Sequence, residues 1–310
     1  MPATTAATPH WTPGAIADQR GRTALITGGN SGIGLETARV LAGHGARVIL
    51  AGRSQDTLEA AAAALAAEQP GADVGTVVVD LGSLASIRRA GERLAAGPGA
   101  VDLLINNAGV MNVSERRTTT DGFELTFGTN HLGHFALTAG LMPALLRSQA
   151  ARVVTVSAVA ARWRSGRLDD LNSERRYGAM GAYAKSKRAN VVFTRELARR
   201  LAGTSVEAVV VHPGSAMTNL QRHSSGPLAR MAVAVASRAL MGSPEGAAWP
   251  SLYAATSPDV RSGQFLGPAG RDQTSGTPVP VRLPRGADDP AEGERLWTES
   301  ERLTGVRFPA

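Results

Sequence analysis

The chain has 310 residues and no cysteine. Disulfides, thiolate nucleophiles and cysteine-held metals are thereby excluded, and the absence agrees with a reducing, cytoplasmic setting. Aromatic residues make up only 4%, too few for the stacking platform on which single-stranded nucleic acid is bound. Long hydrophobic runs are also missing. The first twenty residues mix Thr, Pro, Asp, Gln and Arg and lack the apolar core of a signal peptide. The longest later stretch, Leu228 to Met241, is interrupted by Arg230, Ser237 and Arg238 and is too short to span a bilayer. Lysine is almost absent: of 33 basic side chains only Lys185 and Lys187 are lysines, and arginine supplies the rest.

What is present is ordinary for a globular protein, with 43% hydrophobic and 19% charged residues. The formal charge of +7 is carried by dispersed arginines, with the doublets Arg88-Arg89, Arg116-Arg117 and Arg175-Arg176 in different segments. That pattern describes a solvated basic surface and no nucleic-acid footprint. Short apolar runs alternate with helical patterns: strands at 22–27, 48–51, 76–79, 103–106, 152–157 and 206–212, and helices at 35–43, 58–68, 84–96, about 130–147 and through Tyr183 to about 201. Such alternation implies right-handed crossovers and an α/β fold: a doubly wound parallel sheet with helices on both faces, in a single domain. Residues 1–20 read as a poorly ordered N-terminal arm from which Trp11 can tuck against the body. Residues 21–275 form the main domain and 276–310 a C-terminal extension. Proline and glycine break regular structure from 276 to 290, and a terminal helix follows at 290–303.

The chemistry is concentrated in two motifs. Tyr183 and Lys187 stand four apart, hence one turn apart on one helix face. An ammonium beside a phenol is expected to lower its pKa toward neutrality and make it a general acid/base for a carbonyl or alcohol oxygen. Arginine, a rigid fork, does not replace a compact ammonium there. The second motif is Gly28-Gly29-Asn30-Ser31-Gly32-Ile33-Gly34, between an apolar strand and a helix. Glycines let the backbone approach a pyrophosphate, and the helix N-terminus offers unpaired N–H groups.

Together with Asn106-Asn107-Ala108-Gly109 and Ser157, these motifs resemble the short-chain dehydrogenase/reductase family, in order along residues 20–270. The segments Asp121-Gly-Phe-Glu-Leu125, Thr129-Asn-His-Leu-Gly-His-Phe135, Asp169-Asp-Leu-Asn172 and Leu296–Gly305 resemble its retinol-dehydrogenase-like branch. The resemblance implies a Rossmann-type fold and an oxidoreductase that interconverts a ketone or aldehyde with an alcohol. Tyr183 would give its proton to the carbonyl oxygen, Ser157 would orient that oxygen, and Lys187 would tune Tyr183 and bind the nicotinamide ribose. Asn130 would hold a water linking Lys187 to solvent. Gly28, Asn30, Ser31, Gly32, Ile33 and Gly34 would cradle the pyrophosphate. Asp80 and Leu81 would meet the adenine, Asn107, Ala108 and Gly109 would flank the cofactor, and Pro213, Gly214 and Thr218 would contact the nicotinamide. Where an NAD-type acid would stand the chain has Gly52, followed by Arg53, which suits a 2′-phosphate and so NADP(H) over NAD.

Two long segments, 158–182 and 215–245, follow strand ends, mix apolar with arginine side chains and are expected to wall a lipophilic substrate, with Trp163, Arg164, Arg167, Leu168, Tyr177, Met217, Leu220, Leu228, Met231 and Met241 among them. His131 and His134 lack an accompanying carboxylate cluster and read as packing positions, so no metal site is expected. Some relatives in the branch carry a membrane anchor, for which this sequence offers no candidate. Many relatives form homodimers through the helices after strands four and five, an interface the C-terminal extension would cover or extend. The alternative function is a non-redox nicotinamide-binding protein on the same scaffold, a sensor or a cyclase.

Overall fold

A computed structural model describes residues 11–97, 99–164, 166–214 and 244–308. Its strands are β1 Thr23–Thr27, β2 Arg47–Gly52, β3 Val74–Val78, β4 Leu103–Asn106, β5 Ala151–Val156, β6 Val206–Val211, β7 Phe265–Pro268 and β8 Pro278–Pro280. The principal helices are α1 Gly32–Gly43, α2 Gln55–Glu68, α3 Leu84–Ala96, α4 Gly133–Leu145, α5 Ala179–Arg200, α6 Pro244–Thr256 and α7 Pro290–Thr304. The strands form one sheet in the order β3-β2-β1-β4-β5-β6-β7-β8. All neighbouring pairs are parallel except β7–β8.

The central strands are mostly apolar, with polar residues chiefly near their ends, because both sheet faces are covered. On one face Leu41 of α1, Leu58 and Leu65 of α2 and Leu252 of α6 pack on Ile26, Leu50 and Val209. On the other, Ile87 of α3, Leu141 of α4 and Phe193 of α5 pack on Leu25, Leu104 and Val153. Helix α7 lies over that second layer. Trp297 comes within 5.2 Å of Phe135, 5.9 Å of Phe193 and 4.4 Å of Phe308, ring centre to ring centre. The order reverses between β1 and β4, which opens a crevice beyond their C-terminal ends, the usual ligand position in such sheets.

Several elements differ from expectation. The third strand runs 74–78 rather than 76–79. The helix expected from residue 130 begins as a π-helical turn, Gly128–Leu132, before α4. The proline-rich stretch after 276 contains β8, with prolines at both ends. Val281 N–H donates to Phe265 O and Ala269 N–H donates to Thr277 O, so odd-numbered residues face β7. The missing N–H groups of Pro278 and Pro280 point outward, which an edge strand tolerates. In the N-terminal arm, Trp11, Ile16 and Gln19 tuck against the body while most of residues 12–20 stay exposed. Trp11 meets Trp249 at 6.3 Å and Tyr253 at 5.2 Å, and Ile16 is buried; apolar contact outweighs the arm's loop-like composition.

Candidate active site

The glycine loop is built by close approach. Gly28 and Gly32 take positive φ, 64° and 56°, where glycine is favoured. A Cβ on Gly34 would lie 2.3 Å from Gly28 O and 2.6 Å from Asn107 Nδ2, so only glycine lets α1 start this near the turn. Ser31 caps α1 without a side-chain bond, and the first helical bond runs from Leu35 N–H to Ser31 O. The N–H groups of Gly32, Ile33 and Gly34 are therefore left for a ligand. Beside the loop, Asn30 Nδ2 donates to Thr57 Oγ1 at 3.1 Å. A Cβ on Gly52 would sit 3.5 Å from Asn30 Oδ1. Arg53 follows β2, exposed, with no hydrogen bond or ion pair among the described residues. Asp80 Oδ1 accepts from Gly82 N–H at 2.9 Å, and Leu81 is buried. These groups line the ends of β1, β2 and β3 as one edge.

Thr27, the last residue of β1, joins this edge to the next. Its Oγ1 accepts from Asn107 N–H (2.9 Å) and Ala108 N–H (3.0 Å), and Asn107 Nδ2 donates to Thr27 O (2.8 Å). Thr27 Oγ1 also lies 2.9 Å from His134 Nε2, while His134 Nδ1 lies 2.9 Å from Asn130 O. A carbonyl only accepts, so Nδ1 carries the hydrogen and Nε2 accepts from the Thr27 hydroxyl. Burial lowers the His134 pKa to about 4, which keeps the ring neutral.

Ser157, just past β5, donates its N–H to Val211 O (2.7 Å) and its hydroxyl to Lys187 O (2.7 Å). Lys187 Nζ donates to Val156 O at 2.9 Å and stands 5.9 Å from the centre of the Tyr183 ring. A Cβ on Gly109 would lie 3.1 Å from Asn130 Oδ1 and 3.6 Å from Lys187 Nζ, so Gly109, Asn130 and Lys187 border one space. Asn130 Oδ1 accepts from Val110 N–H, and its Nδ2 donates to Val110 O and Ser186 Oγ. That amide is thus committed to Val110 and Ser186, and the Asn130 side chain makes no direct hydrogen bond to Lys187. The Tyr183 hydroxyl has no hydrogen-bond partner among the described residues. Ser157, Tyr183, Lys187 and Asn130 are thus brought together.

One electrostatic expectation is corrected. The phenol is not lowered: burial pushes Tyr183 up to about 12, and burial also pushes Lys187 down to about 8. Helical spacing places the ammonium against the ring and on Val156 O, and desolvation of both groups exceeds their mutual attraction. Lowering the phenol would take further positive charge at the hydroxyl.

On the substrate side only part of the expected wall lies within the described residues. Leu168 packs inward, the Tyr177 hydroxyl donates to Val113 O at 2.6 Å, and Trp163 is exposed. An open cavity of ≈ 690 Å³ in this segment is rimmed by Arg164, Arg167, Arg175 and Arg176 together with Asp169 and Asp170, and neither Ser157, Tyr183 nor Lys187 lines it. Lys185, two positions from Tyr183 and so on the opposite face of α5, borders that cavity. Its Nζ donates to Asp170 O and to Ser173 Oγ (2.8 Å). Thr218, Met217, Leu220, Leu228, Met231 and Met241 lie outside the described residues. His131 and His134 do not face one way, for His131 Nε2 meets Ser300 Oγ of α7 at 2.9 Å. Among the described residues no cluster of three metal-ligating side chains occurs, and no helix is long and apolar enough to cross a membrane. The contact of Thr27 with His134 and that of Gln273 with His212 were missed in the sequence; both join segments far apart in the chain, whereas the tie of His134 to Asn130 O spans one helical turn.

A family profile described as short chain dehydrogenase matches residues 22–227. Mouse retinol dehydrogenase 14 is 41% identical over 299 residues, covering 92% of this chain and 86% of that protein. A solved structure of an uncharacterized protein from Mycobacterium paratuberculosis is 40% identical, with a TM-score of 0.77, over 97% of this chain and all of that one. The RhlG/NADP active-site complex of Pseudomonas aeruginosa is 28% identical, with a TM-score of 0.64, over 79% of this chain and 94% of that one.

Proposed function

The chain belongs to the short-chain dehydrogenase family, and from that premise we propose an NADP(H)-dependent oxidoreductase that interconverts a lipophilic aldehyde or ketone with its alcohol. The observation that carries the reading is the meeting of Ser157, Tyr183 and Lys187 beside Asn130, one strand from a glycine loop that only a backbone-hugging ligand fills. A dinucleotide fits this edge. The open N–H groups of α1 suit its pyrophosphate, and unpaired Arg53 suits a 2′-phosphate through charge-assisted hydrogen bonds. The NADP bound in the Pseudomonas relative and the retinol named for the mouse relative support the cofactor and a lipophilic substrate.

When bound, the cofactor supplies or accepts the hydride. Tyr183 holds the proton that goes to or comes from the substrate oxygen, and its unpartnered hydroxyl is free to do so. Lys187 has three N–H groups and one acceptor, Val156 O, leaving two for a ribose and a water. Ser157 donates to Lys187 O in this structure. It steadies the substrate oxygen by turning its hydroxyl off that carbonyl. The proposal is tested by following NADPH fluorescence with retinal and a series of aliphatic aldehydes. Consumption with NADPH well above that with NADH is expected. Binding of NADPH without turnover on any carbonyl would favour the sensor or cyclase reading instead.

A further inference from the structure

Three segments far apart in sequence meet at one amide. Gln273 Oε1 lies 2.9 Å from His212 Nε2 and accepts from Arg162 Nη1 at 2.9 Å. Arg162 Nη2 donates to Arg282 O at 2.7 Å, and its guanidinium stands 5.6 Å over the Phe265 ring. Gly214 N–H points to His212 Nδ1 at 3.3 Å. Nδ1 is therefore the acceptor, Nε2 carries the hydrogen, and that hydrogen goes to Gln273. The ring is buried, and among the described residues neither nitrogen has another partner.

The backbone that presents Gln273 is unusual. Asp272 has φ 55° and ψ 19°, and Gln273 has φ 56°. Two successive non-glycine residues in the left-handed region are uncommon and persist where the surroundings over-determine them. The next residue presses on the turn after β6: a Cβ on Gly214, itself at φ 78°, would lie 2.3 Å from Thr274 O and 3.0 Å from Pro268 Cγ. The turns at 271–274 and 212–214 are thus shaped to each other, with His212 clasped between them. Ser157 N–H on Val211 O sets the 212–214 turn beside the Ser157–Tyr183 group. The glycine loop and Arg53 lie across β4 and β1 from it.

We infer that Gln273 is a positioning residue for the nicotinamide half of the cofactor: by accepting from His212 and Arg162 it fixes the His212-Pro213-Gly214 turn that this half lies against. The inference rests on the NADP(H) reading above. It separates the two ends of the cofactor, because the adenine half is held at β1 and β2 and touches none of these groups.

The test compares the affinities of NADPH and adenosine 2′,5′-bisphosphate, a probe with no nicotinamide, for the wild-type protein, Q273A and Q273E. Q273A is expected to weaken NADPH by roughly tenfold, the effect of one lost acceptor that leaves a buried N–H unpaired, and to leave the bisphosphate unchanged. Q273E keeps an oxygen for both donors and restores NADPH affinity. Equal affinities of Q273A and wild type for NADPH would overturn the inference, as would a matched loss of both ligands with a lowered melting temperature. Should Q273A not fold, Q273M, which keeps the volume without the acceptor, gives the same comparison. Failure of the wild-type protein to bind either ligand would remove the NADP(H) reading, and this inference with it.

Discussion

Replacing Lys187 with methionine is expected to stabilise the folded protein at neutral pH while removing its activity. The ammonium is buried, 3% exposed, and burial brings its pKa from 10.5 down to about 8. A displacement of that size corresponds to roughly 3 kcal/mol against the charged form in the fold. The hydrogen bond from Nζ to Val156 O opposes part of the gain on substitution. That carbonyl keeps a second donor, Asn190 Nδ2 at 3.3 Å, so it is not orphaned. The net gain for Lys187→Met at pH 7 is then about 1–3 kcal/mol. The size of this gain changes with pH in a defined way. Below about 8 the lysine is charged in both states, and its full desolvation penalty falls on the native state. Between about 8 and 10.5 the native lysine loses its proton while the unfolded one keeps it, so wild-type stability rises with pH relative to the variant. Above that window the advantage of methionine disappears. Urea unfolding of both proteins at a series of pH values between neutral and alkaline reads this directly. A variant less stable than wild type at pH 7, or a stability difference that does not change with pH, would refute the reasoning.

Other substitutions probe separate parts of the account. Arg53→Ala removes charge-assisted bonds available only to a 2′-phosphate. It should weaken NADPH by about ten- to a hundredfold and leave NADH unchanged, as read by equilibrium fluorescence titration; equal wild-type affinity for the two cofactors would make Arg53 an ordinary surface arginine. Gly34→Ala puts a methyl group 2.3 Å from Gly28 O, so a thermal or denaturant melt should show a loss of about 1–3 kcal/mol and titration a loss of cofactor binding. Trp297→Ala opens the aromatic cluster between α4, α5 and α7 and should lower stability by about 3–5 kcal/mol in denaturant unfolding. Unaltered stability would mean that α7 is only loosely applied.

The sheet was legible where both of its faces are buried. Leu103–Ile105 and Ala208–Val211 are continuous apolar runs, with Asn106 ending β4 and Glu207 near the start of β6 as their polar exceptions. The glycine loop and the Tyr183–Lys187 pair were legible because their spacing alone dictates geometry. What stayed hidden depends on partners distant in sequence. Prolines at 278 and 280 read as loop until β7 turns their nitrogens outward. The π-helical turn at 128–132 has no periodic signature. The scarcity of lysine drew attention to 185 and 187 alike, yet only packing shows that Lys185 ties down the 169–173 loop while Lys187 faces Asn130. The expected fall in the Tyr183 pKa failed for the same reason: helical spacing sets a distance but says nothing about desolvation. His134 and Gln273 each join groups that sequence reading treated as independent.

The central claim is that Tyr183 moves a proton to a substrate oxygen while a hydride passes from NADPH. It is tested most directly by single-turnover reduction of a lipophilic aldehyde with NADPH deuterated at the transferable position, comparing wild type with Tyr183→Phe. Deuterium should appear at the alcohol carbon with the wild-type protein. The variant should bind NADPH with nearly the same affinity but form product at least about a hundredfold more slowly. Deuterium transfer by the variant at the wild-type rate would contradict the account.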